Sequence, residues 1–389
     1  MKQLKTRLKD GMRMFAESHK VYKKLQKHLD KQPVGFPATA SGVERRILRD
    51  AFTVDEAGIA LEMTYKFQTA DQIFDKIKSK GISEDRLQAM LDNMERHGAI
   101  FVKIVGGKKQ YALHPFAVGI FEMKVPTMNA NYYIDARKYM YQSFAMEFLS
   151  TALPQMRVIP VEKSVTPSLN IATYDEIRKL VLQNDGHIAL AECVCRKGKD
   201  SIGRPCNETD RREVCIGFGD FADMYTRNGF GRPISTDEAF EILKQNEKDG
   251  LVLMPSNSQE SYFVCSCCKC CCGCLELVSL LAKPAEFVMN NYQAVLEADK
   301  CIGCGKCSKK CKMEAIKMQP VENSKKVNAI GIDLNRCIGC GVCVASCKPG
   351  ALTLAKKTKQ TAPPKDMDTL YEEIMKKKKG MVRRTLNVG

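Results

Sequence analysis

The chain has 389 residues, 44% hydrophobic and 27% charged, with a mean hydropathy of −0.27. It is expected to be a soluble globular protein of two or three domains, with enough chain to bury a core. Its longest apolar run, around residues 275–282, falls far short of the ~20 residues a membrane helix needs. The opening Met1-Lys2-Gln3-Leu4-Lys5 has no apolar signal segment. A polytopic membrane protein, a secreted protein and a disordered chain are therefore poor fits. A net charge of +16 would suit nucleic acid or an anionic membrane. The nineteen cysteines say more: none falls in the first 192 residues or the last 42. Without an export signal, that density points to metal or redox chemistry in a reducing, cytoplasmic compartment.

Residues 1–41 read as a basic arm and linker. Residues 1–31 hold ten Lys/Arg against three Asp/Glu. Leu4, Leu8, Met12 and Phe15 recur at helical spacing, as do Val21, Leu25 and Leu29. An amphipathic helix packed on the body is the plainer expectation; peripheral docking on an anionic membrane or a partner is the other. Gln32-Pro33-Val34-Gly35-Phe36-Pro37 then breaks the helix into an extended linker.

Residues 42–125 read as four helices and a hairpin. The helices are Val43 to Phe52, one capped by Thr53, one opened by Thr69, and one begun by Ser83 with Glu84 and Asp85 in its first turn. The strands are 99–104 and 110–113, joined by the tip Val105-Gly106-Gly107-Lys108-Lys109. That order resembles a winged-helix domain, which can read DNA through its third helix. Here the candidate recognition segment, 83–97, sets Glu84, Asp85, Asp92 and Glu95 against Arg86 and Arg96. That acidic balance argues against a nucleic-acid partner and for a structural or docking role.

Residues 126–290 read as a cysteine-rich mixed domain, with helices expected at 175–182 and 236–246. Cys193-Val194-Cys195-Arg196, Cys206 and Cys215 have the spacing C-x-C-x10-C-x8-C. Four thiols within 23 residues suit one tetrahedral metal or one cubane. Arg196, Lys197 and Arg204 are expected to lower the thiol pKa values. Cys265-Ser-Cys267-Cys268-Lys-Cys270-Cys271-Cys272-Gly-Cys274 then packs seven thiols into ten residues, between an apparent strand at 262–264 and a helix at 275–282. Adjacent cysteines cannot all face one centre without sharp bending. The run therefore feeds more than one site or builds a cluster larger than a cubane, and Cys193 or Cys195 can share its thiols.

Residues 291–357 carry an internal duplication. Cys301, Cys304, Cys307 and Cys311 have the spacing C-x2-C-x2-C-x3-C, and Cys337, Cys340, Cys343 and Cys347 repeat it 36 residues on. The spacing suits [4Fe–4S] cubanes rather than zinc, whose cysteines come as separated pairs. The first three thiols wrap one cluster. The fourth is expected to start a helix that carries it to the other. The ligand sets are then Cys301, Cys304, Cys307 and Cys347 for one cluster, and Cys337, Cys340, Cys343 and Cys311 for the second. Gly303, Gly305, Gly339 and Gly341 let backbone approach the sulfides. Each cubane with four thiolates carries a net charge of about −2, so four clusters would offset about half of the basic excess.

At these residues the chain resembles the bacterial two-cluster ferredoxins. The resemblance implies a pseudo-twofold βαββαβ fold, with 315–318 and 351–354 as equivalent strands. Those proteins usually place Pro directly after the fourth Cys. Here Lys312 and Lys348 follow, which is expected to raise the potentials. With the segments 191–196, 217–220 and 250–259, the chain resembles anaerobe 4Fe–4S dicluster-domain proteins, which also begin with a winged-helix-like region. The fold class expected is thus α+β: winged-helix-like domain, cysteine-rich middle domain, ferredoxin-like domain, and a basic tail at 358–389 that is solvated or flexible.

No P-loop, no G-x-G-x-x-G after a strand and no nucleophile elbow is present. The expected cofactors are two [4Fe–4S] clusters plus one or two further Fe–S clusters in the middle domain. The expected role is low-potential electron transfer to or from a redox partner, a flavo- or metalloenzyme. The alternatives are an Fe–S redox-sensing DNA-binding regulator and a reductase with catalysis at the Cys265–Cys274 cluster.

Overall fold

The computed structural model describes residues 19–151, 153–321 and 326–386. The chain is mixed helix and antiparallel sheet, an α+β protein, and it divides into two compact units. One runs to Thr151 and takes up the chain again from Ile374; the other is Ala152–Glu373. The boundary expected at 125/126 therefore falls inside the first unit, and the middle and ferredoxin-like regions share the second. No described helix is long and apolar enough to cross a membrane.

In the first unit, helix α1 covers 19–29 and buries Tyr22, Leu25 and Leu29, while Val21 is half-buried. Leu4, Leu8, Met12 and Phe15 lie outside the described residues. The Pro-Gly linker is not free: Phe36 is buried and packs 4.7 Å from the Tyr139 ring. Helices α2 (Val43–Ala51), α3 (Val54–Ala60), α4 (Ala70–Ile77) and α5 (Glu84–Arg96) follow. Thr53 with Glu56, and Thr69 with Gln72, form reciprocal caps, which satisfy the free N–H groups of α3 and α4. Strands β2 (Ile100–Val105) and β3 (Lys108–Leu113) form the hairpin, and a short β1 (Gln68–Thr69) joins β3's outer edge. Helices α6 (Ala130–Tyr139) and α7 (Ala145–Ser150), joined through a wider turn at 140–144, complete the unit. Their apolar residues carry no clean helical stripe, so no sequence pattern marks them.

The second unit is built on a five-stranded antiparallel sheet in the order β6-β4-β5-β8-β7. The strands are β4 (Ile188–Glu192), β5 (Glu213–Phe218), β6 (Arg232–Pro233), β7 (Val252–Pro255) and β8 (Phe263–Cys267). Helices α8 (Ile177–Leu182), α9 (Val194–Ser201), α10 (Gly219–Arg227), α11 (Thr236–Lys248) and α12 (Gly273–Ser279) surround it. Helix α11 is capped by Ser235, whose side chain accepts from the Glu238 N–H. The buried Arg157 donates to the carbonyls of Ser256 and Ser258 at 2.7 Å and pairs with Asp175, which pins the loop after β7.

Six short elements follow: β9 (Tyr292–Leu296), α13 (Lys306–Lys310), β10 (Ile316–Pro320), β11 (Val327–Ile332), α14 (Val342–Ser346) and β12 (Leu352–Lys356). Their order is βαββαβ, with β9 paired to β12 and β10 to β11. The segment from residue 358 is not a loose tail along its length. It forms α15 (Met367–Leu386), with Leu370, Tyr371 and Ile374 buried. Lys378 Nζ donates to the carbonyls of Asp30 and Gln32, each at 3.1 Å. Apolar residues at 370, 371 and 374 give a stripe one helix turn long, too short to stand out among the surrounding lysines.

Candidate metal centres

The duplicated motif folds twice into the same loop. Left-handed glycines at 303, 305, 339 and 341 turn the chain around each centre. All but Gly305 are also sterically constrained. A Cβ on Gly339 would lie 2.2 Å from Tyr292 O, and one on Gly341 would lie 2.0 Å from Ser164 Oγ. The third cysteine of each motif sits in a short helix, and the fourth ends that helix rather than starting one: Cys311 caps α13 and Cys347 caps α14. One helix length is what carries the fourth thiol across to the other centre.

Two cavities result. The first, with ≈ 360 Å³ of space between atoms, is lined by Cys301, Cys304, Cys307 and Cys347. The second, ≈ 380 Å³, is lined by Cys337, Cys340, Cys343 and Cys311. Backbone N–H groups point at the sulfurs: Ala329 to Cys301, Ala315 to Cys311 and Ala294 to Cys337, at 3.3–3.4 Å. Such donors stabilise thiolate and sulfide charge, and they tune cluster potential. The surroundings of the two cavities differ. Cys304 is exposed, with Ile302 56% exposed beside it. In the second cavity, burial pushes the Cys340 thiol up to about 12; a bound cation reverses that preference.

The eleven remaining cysteines do not sort as their spacing suggested. Cys206 leaves the 193–215 quartet and joins Cys268, Cys270 and Cys271, and these four sulfurs all lie within 4.8 Å of one another. The other seven form a connected thiol network. Cys193 contacts Cys195 and Cys215; Cys195 contacts Cys272; Cys215 contacts Cys265; Cys267 contacts Cys265 and Cys272; Cys272 contacts Cys274. Thiol contacts hold Cys193 and Cys272 well below the usual thiol range, so the network favours thiolate at those two positions.

Sheet geometry performs this sorting. Alternate residues of a strand face opposite sides. Cys265 and Cys267 of β8 therefore share one face with Cys215 of the neighbouring β5, while Cys268 leaves on the other. A tight turn at 269–271, closed by the Cys272 N–H donating to the Cys268 carbonyl at 3.1 Å, then aims Cys270 and Cys271 at Cys268's partner group. The bending required of adjacent cysteines is supplied by this turn.

Of the three basic residues expected near these thiols, Arg196 alone lies among them. It is fully buried, and its Nη2 donates to Ser266 O at 3.2 Å, while Nε and Nη1 lack a hydrogen-bond partner. Its guanidinium faces Cys193, Cys268, Cys206 and Cys215, thus both thiol groups. Lys197 pairs instead with Glu192, and Arg204 is exposed. The two lysines that replace proline also part company. Lys348 is exposed, whereas Lys312 is buried, with its Nζ 2.7 Å from Glu208 Oε2. The charge of Lys312 is thereby offset, which weakens the expected rise in potential. Glu208 carried no signal in the sequence beyond standing two residues after Cys206.

A family model described as a 4Fe-4S dicluster domain matches residues 300–366. No curated protein and no solved structure matches the chain. The chain thus carries an iron–sulfur dicluster domain, and its residues fit that group: each cavity presents four thiols, with main-chain N–H donors to their sulfurs.

Proposed function

We propose that this chain is a multi-cluster electron-transfer protein or subunit that passes low-potential electrons to or from a separate flavo- or metalloenzyme, in the cytoplasm of an anaerobe. The observation that carries the proposal is the pair of cavities, each ringed by three thiols of one motif and the fourth of the other. A [4Fe–4S] cluster bound there accepts and releases one electron at a time. The chain's own part is to hold the thiolates, keep water out and set the local charge.

The second cavity is covered by the middle region. The Val161 N–H donates to Cys340 O at 3.1 Å, and Arg336 donates to the carbonyls of Met313, Leu281 and Ser279. The first cavity reaches the surface at Cys304. That edge, with Ile302 and the exposed Lys306, suits an acidic docking face on the partner. The seven-thiol network of the middle region supplies ligands for a further Fe–S cluster larger than one cubane. In the first unit, Lys109 pairs with Asp92 and Glu95, and Arg86 with Asp55. With those cations already neutralised, the winged-helix-like region serves protein docking better than DNA.

Iron analysis after anaerobic purification tests the proposal, with EPR of the reduced protein. More than eight irons per chain are expected, with signals from two interacting [4Fe–4S] clusters. Eight or fewer would remove every cluster beyond the ferredoxin-type pair, and no reducible signal would remove the electron-transfer reading itself.

A further inference from the structure

We infer that Cys206, Cys268, Cys270 and Cys271 form a closed mononuclear site that binds one tetrahedral divalent metal ion, zinc or ferrous iron, rather than a cluster. The site lies outside the family match, and the inference goes beyond the electron-transfer reading and does not depend on it.

The distances decide it. Cys206 Sγ lies 3.6 Å from Cys268 Sγ and 3.7 Å from Cys270 Sγ, and Cys270 Sγ lies 3.7 Å from Cys271 Sγ. A tetrahedral ion with metal–sulfur bonds of ~2.3 Å places its four sulfurs about 3.8 Å apart. Three of the six sulfur–sulfur edges are thus already at the length of a single-ion site, and all six lie within 4.8 Å. A cubane holds each thiolate on a separate iron, at the corners of a tetrahedron wider than the cube itself, so its ligand sulfurs cannot approach one another this closely. The same chain shows the contrast. Both ferredoxin-type quartets ring open cavities, whereas among the described residues four sulfurs draw together within 4.8 Å at Cys206, Cys268, Cys270 and Cys271.

The surroundings fit a closed ion site. Cys268 and Cys271 are buried, and Cys206 and Cys270 are half-buried. The Glu208 N–H donates to Cys206 Sγ at 3.4 Å. Four thiolates around a divalent ion carry a net negative charge. The buried Arg196 guanidinium, facing Cys268 and Cys206, balances part of it. On binding, the thiols lose their protons to solvent and no redox change is needed, so the step balances with the ion alone. Four protein ligands leave no open position, which marks the site as structural or as a one-electron relay rather than a catalytic centre. Its ligands come from two segments, the 206 loop and the 268–271 turn, so the ion would clip together the two segments that Arg196 also joins.

The test uses the full chain purified anaerobically, with zinc and iron counted per chain, and the variants Cys270→Ser and Cys271→Ser. Each variant should lose about one equivalent of zinc or of high-spin ferrous iron, while the ferredoxin-type EPR signals persist. Loss of zinc identifies the ion as zinc; loss of a tetrahedral ferrous Mössbauer doublet identifies it as iron. Loss of about four irons together with a cubane signal overturns the inference, as does unchanged metal content in both variants. Should the variants fail to fold, the wild-type protein decides. X-ray absorption at the zinc edge, or Mössbauer spectroscopy for iron, should show one ion with four sulfurs at ~2.3 Å and no metal–metal neighbour; absence of both signals overturns it. Total iron above eight with no mononuclear ion would leave the electron-transfer reading standing and sink this one alone.

Discussion

Replacing Arg196 with methionine separates its charge from its bulk. The side chain is fully buried, and two of its donors have no hydrogen-bond partner while it faces thiols of both middle groups. Methionine fills nearly the same volume with an apolar, unbranched chain. The loss leaves buried thiolate charge without its cation, at a cost of about 3–5 kcal/mol to the second unit. The redox effect is smaller, because an electron added to a cluster spreads over several irons. Unit charges ~10 Å apart at an effective dielectric of ~20 interact by about 1.5–2 kcal/mol, and ~59 mV corresponds to 1.4 kcal/mol for one electron. The midpoint of the centre bound by the seven-thiol network should therefore fall by ~65–85 mV in Arg196→Met. Arg196→Lys should fall far less, because it keeps the charge. The ferredoxin-type midpoints should hardly move. An anaerobic EPR-monitored redox titration of the three proteins reads all of this at once. If Arg196→Met keeps its full metal content and every midpoint stays at its wild-type value, the electrostatic role given to Arg196 is refuted.

Four further outcomes follow from the geometry. Burial holds the His114 imidazolium down to about 3, against 6.5 for the free side chain. Its stabilising share is thus whole above pH 6.5 and is lost as pH falls toward 3, about 2 kcal/mol by pH 5. Hydrogen exchange of the β2–β3 amides should show that loss in the wild type and a flattened dependence in His114→Phe; equal slopes would contradict it. Gly339→Ala sets a Cβ 2.2 Å from Tyr292 O at a left-handed φ of 67°, so it should abolish the cluster of the second cavity and leave the spin-coupled signal of the pair uncoupled. Residues 152–373 made alone should keep the full metal content, since all nineteen cysteines lie within them. The shorter 291–357 should still take up about eight irons but bleach at lower temperature, because Arg336 loses the carbonyls of Ser279 and Leu281; equal bleaching temperatures would show those contacts to be idle.

Some of this protein is written in the local order of its residues. The reciprocal caps at Thr53 and Thr69, the Ser83 start of α5 and the Gly106-Gly107 hairpin tip depend on neighbours within a few residues, so the sequence alone determined them. The ferredoxin-type quartets were legible for the same reason. Each loop carries three of its thiols within seven residues, and the duplication supplies the fourth from its twin. The eleven middle cysteines are another matter. Spacing grouped Cys193, Cys195, Cys206 and Cys215 together, but their partners are set by which strands pair. Cys215 meets Cys265 because β5 lies beside β8, and Cys206 meets Cys270 because the chain turns at 269–271. The burial of Arg196, the pairing of Lys312 with Glu208 and the anchoring of α15 belong to the same class. Each joins residues tens to hundreds of positions apart, and strand pairing and burial are free-energy balances over the whole chain, so no local pattern carries them and only the tertiary structure decided them.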